Sequence, residues 1–227
     1  MRRALLIMLA ISVVYGGADI FRPLHRDLRQ FDPASVAKLE TRMWRSYYER
    51  QPLALFLDLS EMLRTQSQFP LLRSYVGAYY GTMAAFVFKQ GQQRADFEKA
   101  LPELQAYFGM VRNTGSVNLD VRRAAELELE WWIVHRHRAG YPVGALGRAC
   151  AVASAYMYQL APEAALAHGQ LRAAAMLARD ERADAGRLSE TDWSDIEALL
   201  LRSYQALQRA LAPAVAAPTP PPTPQQG

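Results

Sequence analysis

Residues 126–138 read ELELEWWIVHRHR. The opening alternation of Glu and Leu has the period of a β-strand, and the WWIV that follows breaks it. Set on a helix at ~100° per residue, the segment resolves into two sides. Arg122, Arg123, Glu126, Glu130 and His137 fall on one polar side, and Val121, Ala124, Trp131 and Trp132 fall opposite. Asp120 stands where an N-cap belongs, and Gly140 with Pro142 closes the segment. The stretch therefore predicts a helix, and with it a helical protein.

The rest of the chain agrees. Runs of Val, Ile and Thr are nearly absent, while Ala, Leu, Arg, Gln and Glu dominate, and these residues favour helix. At 227 residues and 51% apolar, the chain can build a sizeable core. Helices are expected from Asp32-Pro33 to about residue 51, from Pro52 to about 66, and over 71–88. Further ones are expected over about 96–112, 144–160, 162–183 and 190–211, with Pro162 and SETD at 189–192 marking two starts. The fold class is all-α, a multi-helix bundle-like domain over 32–211. Residues 212–227, APAVAAPTPPPTPQQG, are expected to be a disordered Pro-rich tail.

Residues 71–88 are apolar nearly all round, with Ser74, Gly77, Ala78, Gly81 and Ala85 in one small-residue stripe. A membrane helix could carry such a stripe. Arg73 and three tyrosines favour the central helix of a soluble bundle.

At the N-terminus, Arg2 and Arg3 precede an uncharged run over residues 4–18. This is the pattern of a signal sequence or a membrane anchor, with residues 4–21 as the membrane-facing segment and 22–31 as a short linker. The expectation is an uncleaved single-pass anchor in a bacterial inner membrane. Cleavage behind Ala18, releasing a periplasmic or secreted domain, is the alternative.

Net charge is +4, yet the arginines are dispersed among acids and Lys occurs only at positions 38, 89 and 99. No basic block or RNA-binding aromatic pattern appears, so nucleic acid is not an expected partner. The single cysteine, Cys150, sits in an Ala-rich run and reads as a small buried residue. No HExxH, GxSxG, phosphate-binding Gly-rich loop or EF-hand occurs, and no catalytic residue is assigned. Asp58 and Glu61 read as a solvated helix face.

Two inward acids stand out. Glu128 and His135 fall between the tryptophans of their helix. Glu40 falls at the centre of an apolar face made by Val36, Met43, Trp44 and Tyr47. An ionised carboxylate in a core is costly without a partner. Carboxylate-bridged metal bundles use Glu-x-x-His pairs, and none occurs here. Glu128 and His135 are ~10 Å apart along the helix, His25 precedes the domain, and His168 falls on a polar face with Arg172 and Arg179. No metal or cofactor is therefore expected. The cluster Glu40, Glu128 and His135, with Trp44, Trp131 and Trp132, reads first as a buried polar network satisfied by Arg or Tyr from other helices. Candidates are Arg42, Arg45, Tyr47, Tyr48, Tyr75, Tyr79 and Tyr80. A ligand pocket built on the same groups is the alternative. The functional expectation is a membrane-anchored, non-enzymatic accessory or scaffold protein acting through protein partners, with a metal- or ligand-binding helical bundle second.

Overall fold

A computed structural model describes residues 2–212, except the side chains of Arg3, Ala4 and Ile11. Of the tail expected at 212–227, only Ala212 is among the described residues. Ten α-helices follow one another: α1 (Arg2–Phe21), α2 (Pro33–Tyr48), α3 (Pro52–Thr65), α4 (Leu71–Gln90), α5 (Arg94–Phe97), α6 (Leu101–Thr114), α7 (Val121–Arg136), α8 (Ala145–Tyr158), α9 (Leu166–Ala185) and α10 (Glu190–Leu211). Two short 3-10 turns, Glu98–Ala100 and Arg138–Gly140, complete the set, and no β-strand occurs among the described residues.

Side chains set three of the starts. Asp32 accepts a hydrogen bond from Ser35 N at 2.8 Å, and Pro33 occupies the first turn of α2. Asp120 accepts from the backbone N–H of Arg122 and of Arg123. Ser189 and Asp192 form a reciprocal capping box on α10. Two boundaries differ from expectation. The helix expected over 96–112 is divided into α5, a 3-10 turn and α6. Pro102 lacks the N–H a continuous helix would need and is tolerated in the first turn of α6. The helix expected from Pro162 begins at Leu166, because the backbone over 162–166 makes i→i+3 turns instead.

Consecutive helices pack on one another in the order α2–α3–α4–α6–α7–α8–α9–α10, and α10 packs back on α2. Short links make neighbours antiparallel. The result is four hairpins in a closed ring. The leading helices α2, α4, α7 and α9 all run one way, and the return helices α3, α6, α8 and α10 run the other.

Small residues let the helices approach. A methyl built on Gly81 would stand 2.6 Å from Leu59 Cδ2, and one on Gly77 would stand 3.0 Å from Leu63 Cδ1. The glycine stripe of α4 is therefore the seat of α3 within the bundle. Arg73, which suggested water-accessible packing, is instead fully buried. It donates to the carbonyls of Asp19, Arg22 and Asn113 and to Thr114 Oγ1. The α8–α9 crossing is the tightest: a methyl on Gly169 would lie 2.2 Å from Gly147 O and 2.6 Å from Ala151 N.

The expected membrane helix at 4–21 needs correction. α1 is helical, but among the described residues no helix is long and apolar enough to cross a membrane. The uncharged run of residues 4–18 rises only about 22 Å, short of the ~30 Å hydrocarbon layer. Beyond it, Asp19 is occupied by the protein, its carboxylate accepting from Leu72 N at 2.6 Å at the start of α4. The transmembrane and signal-anchor readings therefore gain no support. Residues 22–31 also lie against the domain: Leu24 N donates to Asn113 O, Arg26 N to Thr114 O, and Ser116 N to Arg26 O. Large apolar side chains of α1, among them Leu5, Leu9, Val13 and Val14, are exposed.

Gly169→Ala should destabilise the domain by roughly 1–3 kcal/mol, because the clash is with backbone rather than a movable side chain. Gly109→Ala, where the added methyl meets nothing within 4 Å, should instead be neutral or stabilising by up to ~1 kcal/mol. Equilibrium urea unfolding of the two variants checks the ring's closest contact.

Candidate functional site: a charged central cavity

Inside the ring lies a cavity of about 570 Å³. Its wall is made by α2, α3, α4, α6, α7 and α9, and all six residues singled out in the sequence line it: Glu40, Trp44, Glu128, Trp131, Trp132 and His135. The leading helices carry the polar groups. Seven residues separate Glu40 from Tyr47, Glu128 from His135, and Arg172 from Arg179. These helices run in parallel, so the cavity has two polar levels ~10 Å apart. Met43, Trp44, Trp131, Trp132 and Met176 stand between the levels.

The inner level holds two carboxylates and one cation. Glu40 is buried and receives hydrogen bonds from the Arg172 guanidinium and the Tyr204 hydroxyl. This joins α2, α9 and α10 where the ring closes. Arg172 also lies over the Trp131 ring, its Cζ 4.9 Å from the centroid. Glu128 accepts from Trp132 Nε1 at 3.0 Å. It is partly buried and lines the cavity. Removal from bulk solvent raises the Glu128 pKa. The charge of Arg172 and the hydrogen bonds of Trp131 and Trp132 act against that rise, and the neighbouring Glu40 adds to it. One guanidinium thus serves two acids, and the one it touches is Glu40. In its neutral form Glu128 is a hydrogen-bond donor pointed at the cavity.

The outer level is cationic. Arg50, Arg136 and Arg138 are solvent-exposed lining residues, so this level is the mouth. Lys89 donates to the carbonyls of Tyr47 and Tyr48 at the end of α2 and lies 4.2 Å from the Tyr47 ring centroid. Burial, with Arg50, Arg179 and Arg136 nearby, lowers its pKa to about 8. Arg179 stacks on Tyr48 with Cζ 3.3 Å from the ring centroid. Asp180 is the carboxylate of this level. His135 Nε2 lies 3.0 Å from its Oδ2, Arg138 Nη1 lies 2.8 Å from the same oxygen, and Arg179 Nη1 lies 3.0 Å from Oδ1. Burial would raise the Asp180 pKa, but hydrogen bonding from His135 and Arg179 and the charge of Arg138 outweigh it and lower the value.

Glu40 is met by an Arg and a Tyr of other helices, though not by the candidates named from the sequence. Arg42 serves Asp58 and Glu61 on α3, and Asp58, read as solvated, is buried. Arg45 serves Glu49 and Glu190. The partner of Glu40 is Arg172, from the face of α9 that reads as polar in the sequence. His168, on that same face, is also buried. Its Nδ1 lies 3.1 Å from Ser203 O and its Nε2 lies 3.0 Å from Ser154 Oγ. Burial, aided by the charge of Arg172, depresses its pKa to about 4, so the imidazole is neutral and structural. Cys150 is buried, and its thiol is pushed up to about 12 by desolvation. No group of three or more His, Cys, Asp or Glu suited to hold a metal ion occurs among the described residues.

Comparison with protein families, characterised proteins and solved structures finds no match to this chain.

The two inner acids should respond oppositely to removal of charge. Glu40→Ala leaves Arg172 buried without its carboxylate and should cost roughly 3 kcal/mol. Glu128 has a raised folded-state pKa, so its contribution is most favourable at low pH and is lost as pH rises through and above the ordinary carboxylate range. Glu128→Gln should therefore raise the thermal midpoint at pH 7–8, and the gain should vanish towards pH 4. Thermal melts of both variants across that range check the assignment.

Proposed function

We propose that this chain binds a small organic molecule in its central cavity. The observation that carries the reading is the cavity itself. A volume of about 570 Å³ lies within the ~300–1,000 Å³ typical of ligand sites, and so does the combination of aromatic walls with a few convergent polar groups. A bundle that needed only a register-fixing network could have closed over Glu40 and Arg172. Here Glu128, Trp131 and Trp132 instead line open space. Binding through inward Glu and His groups was the second of the two functional expectations, and the cavity favours it over a scaffold without a ligand.

The accessory role at a membrane stays as a second reading, supported by α1. Leu5, Leu6, Ile7, Met8, Leu9, Val13 and Val14 are each about 60% or more exposed. These residues surround the helix rather than forming one stripe, so a single packed neighbour would leave some of them in water. Insertion of α1 into the apolar layer of a membrane, without crossing it, would cover all sides. On this reading α1 holds the ring at a membrane, and the tether raises its local concentration near partners there.

Native mass spectrometry of gently purified protein tests the first reading. A small molecule near one per chain is expected for the wild type, lost on denaturation and absent from Ala85→Leu, whose longer side chain fills cavity space. A bare chain whose melting is unmoved by fractionated cell metabolites overturns it. Flotation with liposomes tests the second. The full chain should float, and a chain lacking residues 1–18 should remain with the protein fraction.

A further inference from the structure

The mouth of the cavity has a charge pattern that the helical ring does not require. Five cationic side chains, Arg50, Lys89, Arg136, Arg138 and Arg179, line it, against the single carboxylate of Asp180. Asp180 is already shared by Arg138, Arg179 and His135. Among the described residues, no carboxylate lies within 4.0 Å of Arg50, Lys89 or Arg136. Lys89 has only backbone carbonyls and ring faces, and Arg136 lies over Phe88, its Cζ 5.0 Å from the centroid. Arg179 Nε is buried with no hydrogen-bond partner. Gathering like charges at the edge of a low-dielectric cavity is unfavourable unless an opposite charge joins them. Other arginines, such as Arg94 with Glu130 and Arg182 with Asp195, are met by a carboxylate; at the mouth the unmatched cations are gathered round one space.

We infer that the occupant of the cavity is an amphiphilic organic anion, with a phosphate, sulfonate or carboxylate group seated at the mouth among Lys89, Arg136 and Arg179, and an apolar or aromatic body lying between the tryptophans. The inference rests on the cavity being a ligand site. The two-level construction sets the body's reach: ~10 Å from the cations to Glu128. Trp131, Trp132 and Met176 offer flat and polarisable walls to that body. Arg136 and Arg179 offer forked donors, and Lys89 a point charge, which is the usual combination for a tetrahedral or planar oxyanion. The inner level has no free cation for a second anion, because Arg172 is already held by Glu40.

The test uses two fluorescent probes of similar body and different charge: 8-anilinonaphthalene-1-sulfonate and uncharged N-phenyl-1-naphthylamine. Each is titrated against the full chain with excitation of tryptophan, so that energy transfer reports the cavity. The sulfonate should bind at one saturable site at least tenfold tighter than the neutral probe. Arg136→Gln, an exposed position, and Lys89→Gln should each weaken the sulfonate roughly tenfold and leave the neutral probe unchanged, so retained neutral binding also certifies the fold. Ala85→Leu should weaken both, which separates the cavity from adsorption on α1. Equal binding of the two probes, unmoved by Arg136→Gln, would overturn the anion assignment while leaving a cavity site standing. Probes that bind the wild type and Ala85→Leu alike, or neither of them, remove the cavity site and the anion assignment together. If millimolar inorganic phosphate displaces the sulfonate but not the neutral probe, the head group is read through its charge. If only long-chain phosphates displace it, the body contributes as well, and a lipid-like source is favoured over a soluble one.

Discussion

Arg172 reaches from α9 to the Glu40 carboxylate on α2, while the Tyr204 hydroxyl of α10 takes the other oxygen. These hydrogen bonds join the last hairpin to the first. They do so beside an apolar cluster across the same seam, in which Ala37 of α2 and Ala175 of α9 are buried with Trp193, Ile196 and Leu200 of α10. That cluster closes its part of the seam by filling it. The charged pair spans the rest at arm's length, because a guanidinium and a carboxylate both need room and hydrogen-bond geometry. The open volume beside Glu128 and Trp131 follows from that choice.

The same constraint accounts for the division of charge between the levels. Arg172 is drawn to Glu40, and its attraction for the buried carboxylate keeps it charged despite desolvation. Glu128 then shares a cation that is already committed, and takes what is left from indole N–H groups. Two turns further along, the same three helices carry Tyr47, His135 and Arg179, where only Asp180 opposes the cations. A ring of parallel leading helices repeats each side-chain register at each level. One pairing at the inner level therefore aligns the whole set at the mouth.

Much of this was legible in the residues. Asp32-Pro33, Asp120 and the SETD box are caps whose side chains do in the structure what their chemistry dictates. The inward placement of Glu40, Glu128 and His135 followed from the helical period alone. The cavity did not, because periodicity says which side chain points inward and not whether anything fills the space in front of it. Nor did the partner of Glu40, which lies 132 positions away in the chain. The membrane reading of residues 4–21 came from apolarity, which the sequence displays. Whether the helix can cross a bilayer depends also on which of its residues the domain claims. Asp19 and the carbonyls around it are claimed by α4 and Arg73.

The misreading of α9 has a physical lesson. His168, Arg172 and Arg179 share one stripe, and polar residues on one stripe normally mean solvent. Yet Gly169, Ala173 and Met176 flank or share that stripe, and all three are buried. A solvated face gains nothing from a glycine in a helix interior, which weakens the helix by roughly 0.5–1 kcal/mol. It gains much from long side chains that shield the backbone. Glycine and alanine set beside arginine are therefore the mark of a helix that crosses another closely and sends its long cations past the crossing into a space beyond. In α9 the crossing is with α8 at Gly147, and the space beyond is the cavity. An arginine stripe bordered by small residues deserves to be read as inward-facing, with an acid on some distant helix as its counterpart.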